Sequence, residues 1–190
     1  MKPRSTALAT PAGRAGPLAG TLRAGIAAVL VSAAIGLTGC TPDPAPQPTP
    51  TPLFASEAEA FTAAEQVYRD YIAAENTRQA GDKSADPEQF LTGEALSHDI
   101  ESKRDSQAKG TRVDGAAEVV RFEGKKFESD RAAVTAAVCL DVSRTRVVDA
   151  GGEDITPASR PKVASLEVSF VAERHDLKVV RMTPGTETCV

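Results

Sequence analysis

Leu37-Thr38-Gly39-Cys40 is the stretch whose residue types could do the most specific chemistry. A thiolate is a strong nucleophile. Thr38 and Gly39 are small and leave the backbone beside it open to an enzyme. The stretch ends an uninterrupted run of small and apolar residues from Ala24 to Leu37, AGIAAVLVSAAIGL. As a helix that run is about 21 Å long, short of a bilayer core of about 30 Å. Lys2, Arg4, Arg14 and Arg23 lie ahead of it, and no acidic residue occurs before Asp43. A basic segment followed by a short apolar one predicts an export signal and not a spanning helix. Cys40 is then delivered to a membrane surface.

In this setting Leu37-Thr38-Gly39-Cys40 resembles the lipobox of bacterial lipoproteins. The resemblance implies that the Cys40 thiol receives a diacylglycerol and that a peptidase cuts between Gly39 and Cys40. Two acyl chains, at about 0.8 kcal/mol per buried CH₂, make a stable anchor. The implied organisation is a signal peptide over 1–39, a lipidated cysteine and proline-rich linker over 40–54, and a domain over 55–190. The implied location is the outer face of the cytoplasmic membrane. The linker, TPDPAPQPTPTP from Thr41 to Pro52, alternates proline with other residues. As polyproline II it reaches roughly 37 Å, a stalk for the domain behind it.

Charge and cysteine usage fit that location. The leader holds four of the 22 basic residues and none of the 26 acidic ones, so the remainder carries 18 against 26, or −8. Such a surface argues against nucleic-acid binding and against electrostatic docking to anionic lipid. With Cys40 used by the lipid, Cys139 and Cys189 remain, and an even pair in an exported domain reads as one disulfide. It closes a loop of about 50 residues, worth roughly 4 kcal/mol of chain entropy. No CxxC or other metal-ligand spacing occurs, and nothing in the sequence calls for a cofactor.

The rest of the chain supplies elements for a domain. Ser56 to Ala80 reads as a long helix: Ser56 and Glu59 form a capping box, an apolar stripe runs through Phe61, Ala64, Tyr68 and Tyr71/Ile72, and Gly81 stops it. Asp86-Pro87 opens a short second helix, and Glu94 to about Ala108 a third, whose residues Glu101, Lys103, Arg104 and Asp105 read as a solvated face. From Gly110 the pattern turns to strands. Ala117 to Phe122 and Lys125 to Ser129 flank Glu123-Gly124. Ala132 to Val148 follows as one long stretch with Val134, Ala136, Val138 and Leu140 inward. At roughly 56 Å it must bend, after Val142. Lys162 to Glu173 and Leu177 to Thr183 close the meander around Arg174-His175-Asp176.

Helices followed by about four strands predict an α+β fold, helices packed on a curved antiparallel sheet. The order, the bent strand and the closing Asp176-Leu-Lys-Val-Val-Arg-Met strand resemble the NTF2-like (cystatin-like α+β) domains. Cys139-Leu-Asp141-Val-Ser143, Asp149-Ala-Gly-Gly and the terminal Cys189 resemble a group of uncharacterised actinobacterial lipoproteins in which the two cysteines pair. The NTF2-like resemblance implies a conical pocket between helix and sheet. In relatives such as ketosteroid isomerases a pocket aspartate is the base and a tyrosine the oxyanion donor. Tyr68, Tyr71 and Asp141 are the residues this chain offers for such a pocket. Packing in an apolar stripe explains the tyrosines equally, and a solvated or turn position explains Asp141. His98 and His175 read as surface residues.

The leading expectation is a non-catalytic, membrane-anchored domain binding an envelope protein or a wall component. A small-ligand carrier or sensor using the pocket is the alternative, and an isomerase- or dehydratase-like enzyme ranks third, since a scaffold does not fix function.

Overall fold

The computed structural model describes residues 53–189. The expected signal peptide over 1–39, Cys40 and the proline-rich string Thr41 to Pro52 lie outside the described residues. All the described residues belong to one compact unit.

Helix α1 spans Glu57–Gln79. Ser56 caps it, accepting the Glu59 N–H at 3.1 Å, while the Glu59 carboxylate accepts from the Ala55 N–H at 2.8 Å. The reciprocal bond thus falls one residue ahead of the cap. The buried residues Ala60, Ala64, Tyr68, Tyr71 and Ile72 follow the three-to-four spacing of one helix face. A 3₁₀ turn at Pro87–Phe90 and helix α2 at Gly93–Lys109 follow, and Gly110 ends α2 in the left-handed conformation at φ 66°. In α2 only Ala95 is fully buried, as its polar sequence requires.

The strands are β1 Arg112–Asp114, β2 Glu118–Glu128, β3 Ala133–Asp141, β4 Arg146–Val148, β5 Val163–Glu173 and β6 Asp176–Pro184. β2-β3-β5-β6 form an antiparallel four-stranded sheet, and β1 pairs with β4 in a separate two-stranded one. The architecture is α+β, helices packed on antiparallel sheet. Alternation places Val134, Ala136 and Val138 of β3, and Val168 and Phe170 of β5, in the core against Tyr68. Tyr68 and Phe170 meet edge to face with centroids 6.5 Å apart.

Two strand expectations are corrected. Glu123-Gly124 is not a break: β2 runs through it, with register shifts between Val119 and Arg121 and between Gly124 and Lys126. Gly124 is there because the Phe61 ring of α1 occupies the space of a side chain; an added Cβ would lie 2.3 Å from it. The stretch from Ala132 to Val148 is not one bent strand. β3 ends at Asp141, whose carboxylate accepts the Ser143 N–H at 2.8 Å. Thr145 N then donates to Val142 O at 3.0 Å, turning the chain. Arg160 holds the turn, donating to Val142 O and Thr145 Oγ1, each at 3.1 Å. β4 leaves to pair with β1, a strand the alternation did not reveal.

Among the described residues no helix is long and apolar enough to cross a membrane.

Candidate functional site

The C-terminal half of α1, the C-terminal half of α2 and β1 enclose an open groove of about 540 Å³. Tyr71, Glu75, Arg78 and Gln79 reach it from α1, Asp99 and Lys103 from α2, and Arg112 and Val113 from β1. Helical spacing aligns these groups: Glu75 with Arg78 at i,i+3, and Asp99 with Lys103 at i,i+4.

The charged groups form one network. Arg78 lies 2.5 Å from Glu75, 3.4 Å from Glu88 and 3.5 Å from Asp99. Lys103 pairs with Glu88 and sits 3.0 Å from Asp99 Oδ2. Three carboxylates therefore share two cations. Asp99 Oδ2 is charge-paired yet receives no well-angled hydrogen bond, and Gln79 Oε1 has no donor among the described residues. Burial pushes the Glu75 carboxyl above its ordinary range despite Arg78. Burial, with Arg78 adding to it, holds the Lys103 ammonium below its own. The Tyr71 phenol is pushed far up by burial and then by Glu75, so it is a neutral hydrogen-bonding group. This arrangement can bind a ligand through charge and hydrogen bonds. Lys103 is a correction to the sequence expectation: it is not on a solvated face but turned into the network.

The remaining predicted residues are dispersed. Tyr71 lines the groove, and Tyr68, 5.9 Å away between ring centroids, is buried in the core at 1% exposure. Asp141 ends β3 in its turn with Ser143, whose side chain and then backbone N–H hold its carboxyl below the usual range. The structure does not gather Tyr68, Tyr71 and Asp141 into one pocket: Tyr68, Phe170 and Phe122 fill the space between α1 and the sheet. His98 and His175 are exposed. Cys139 and Cys189 are at disulfide distance, their Cα atoms 5.7 Å apart. Among the described residues no group of three or more His, Cys, Asp or Glu is placed to hold a metal ion.

Glu75, Arg78 and Glu88 were not singled out from the sequence, and Asp99 was read only as the neighbour of a surface His98. The two helical charge pairs were the available signal, but such pairs are common on solvated faces.

No family model matches the sequence, and no curated protein matches it. Among solved structures the chain is similar to the intermembrane space region of chloroplast protein ARC6, with 12% identity and a TM-score of 0.46 over 65% of this chain and 95% of that one.

Proposed function

We propose that this chain is a lipid-anchored extracytoplasmic binding protein, a non-catalytic adaptor for an envelope protein or a wall component. Its domain, helices on a curved antiparallel sheet, is read as NTF2-like. The observation that carries the proposal is Leu37-Thr38-Gly39-Cys40, closing an apolar run behind a basic segment and opening a proline-rich string. The pair Cys139 and Cys189 supports an oxidising compartment. The groove between α1, α2 and β1 supports a binding role, because it holds shared charges and a buried Gln79 Oε1 with no donor among the described residues.

The experiment is crosslinking in intact cells, followed by affinity purification and mass spectrometry, with Cys40→Ala in parallel. The adaptor reading expects a reproducible envelope partner that is lost from the Cys40→Ala protein. A co-purified small molecule with no partner would instead support a carrier.

A further inference from the structure

Three segments lie side by side where β1 joins the fold. β1 sets Arg112 opposite Val148 of β4, Val113 opposite Val147 and Asp114 opposite Arg146. On the far side of β4, Val148 bridges to Asp154, and Ile155 N donates to Val147 O at 2.9 Å. Residues opposite one another share a face of the sheet. Val113, Val147 and Ile155 therefore form one row of β-branched side chains across the ladder. Its outer members are open to solvent, Val113 at 38% and Ile155 at 45%. Arg112 and Asp114 take the other face, where Asp114 lies 3.0 Å from Arg112 and 3.7 Å from Arg146.

Backbone direction alternates along a strand. Val147 turns its N–H to Thr156 Oγ1 at 2.8 Å and its C=O to Ile155, both away from β1. Arg112 and Asp114 therefore bond β4, and Val113 directs its N–H and C=O outward, with no partner among the described residues. An open edge by itself accepts any strand. Here the residues flanking it narrow the choice, because Arg112-Val113-Asp114 is its own complement. Laid antiparallel on a second copy, Val113 meets Val113 and the two exchange both outward bonds. Arg112 then meets the second copy's Asp114, and Asp114 its Arg112, in the non-hydrogen-bonded pairs that bring side chains closest. Arg146 stands beyond Asp114, so the charges alternate in sign across the joined ladder: Arg146, Asp114, then Arg112 of the second copy. On the opposite face the row ending in Val113 runs on into its equivalent. A parallel pairing in register would instead set like charges side by side.

We propose that the β1 edge is a two-fold contact between copies of this chain, with Val113 on Val113 and Arg112 on Asp114 across the axis. The contact is isologous, so the same residues serve both sides. It is small, one strand of three residues from each copy, and the dimer it forms is weak, with a Kd of about 100 μM. The proposal goes beyond the adaptor reading and does not rest on it, since every residue of the contact belongs to the described domain.

The experiment is sedimentation equilibrium of the full chain in density-matched detergent, where a monomer–dimer equilibrium is expected. Arg112→Asp and Asp114→Arg each set like charges opposite one another and should weaken the dimer about tenfold. An equimolar mixture of the two variants puts opposite charges back at both positions and should pair within about threefold of wild type. The double variant Arg112→Asp/Asp114→Arg should recover in the same way with itself. Damage to the fold by either substitution would not produce recovery. Should Asp114→Arg fail to fold, Arg112→Asp compared with the double variant carries the same test. Val113→Pro keeps every charge, removes both N–H donors of the central pair, and should weaken the dimer about tenfold. The inference is overturned by a chain that stays monomeric up to about 1 mM, by single variants that dimerise as wild type does, or by folded variants whose mixture is no tighter than either alone. Capture in cells of an envelope protein that depends on Arg112 and Val113, from a chain that stays monomeric, would assign the edge to that protein; this inference then fails and the adaptor reading stands. Dimerisation with the expected charge pattern and no envelope partner does the reverse.

Discussion

Cys139 and Cys189 lie at disulfide distance, tying the C-terminal tail to β3. The double variant Cys139→Ala/Cys189→Ala frees a segment closed over a sequence separation of 50. By loop-closure entropy, the bond removes roughly 4 kcal/mol of freedom from the unfolded chain. In the folded state, Cys139 is buried in β3 at 4% exposure. The chain after β6 is otherwise fastened by the Gly185 N–H donating to Ser165 O at 2.8 Å and by an exposed pair between Lys125 and Glu187 at 3.0 Å. An exposed ion pair of this kind contributes at most about 1 kcal/mol. The disulfide is therefore the main fastening of the tail, and for a domain with a net stability of about 5–15 kcal/mol its loss is a large fraction. Guanidinium unfolding of the oxidised protein and the double variant should differ by about 3–5 kcal/mol, with a melting point about 10–20 °C lower in the variant. Hydrogen exchange should show lost protection from Gly185 onward, with β3 and β5 still protected. A difference below about 1 kcal/mol, with the tail still protected, would show that the disulfide is not the main fastening of the tail.

Gly124→Ala forces a methyl against the Phe61 ring and should destabilise the domain by about 1–3 kcal/mol in denaturant melts. Asn76→Ala deletes both hydrogen bonds to Ala117 and should cost about 1–3 kcal/mol, with faster exchange at the start of β2. Acid should weaken the fold. Side-chain hydrogen bonds from Lys125, Lys126, Ser143 and Thr156 hold Glu123, Glu128, Asp141 and Asp154 below their ordinary values. The folded state then binds these protons less tightly than the unfolded chain. Their stabilisation is complete above the ordinary carboxylate range of about 4–4.5 and is lost as pH falls through the folded values. Glu75 has the opposite sign, because its raised value makes protonation favour the fold. Thermal melts of wild type and Glu75→Gln from about pH 7 to about pH 3 should show a smaller decline in the wild type, which gains from Glu75 protonation.

Much of the domain was legible because its signals were periodic. The α1 stripe from Ala60 to Ile72 and the alternation in β3 and β5 each repeat often enough to name a buried face. Gly124 misled because glycine marks both a turn and a close approach, and only the position of Phe61 distinguishes them. β1 and β4 were hidden because three residues carry no period, and their pairing joins distant parts of the chain. The groove was hidden for a related reason. Its walls come from three elements, and Lys103 looks solvated until Glu88 and Asp99 are seen beside it. The Cys139 and Cys189 pairing needed only a count of cysteines and a compartment, which is why it could be read from the sequence.

Lipidation of Cys40 is decided by mass spectrometry of the N-terminal peptide of protein purified from its own host's membranes. A chain beginning at Cys40, with residues 1–39 absent and diacylglycerol on the thiol, is the predicted result. A chain retaining Gly39, or one with an unmodified Cys40 thiol, would contradict it.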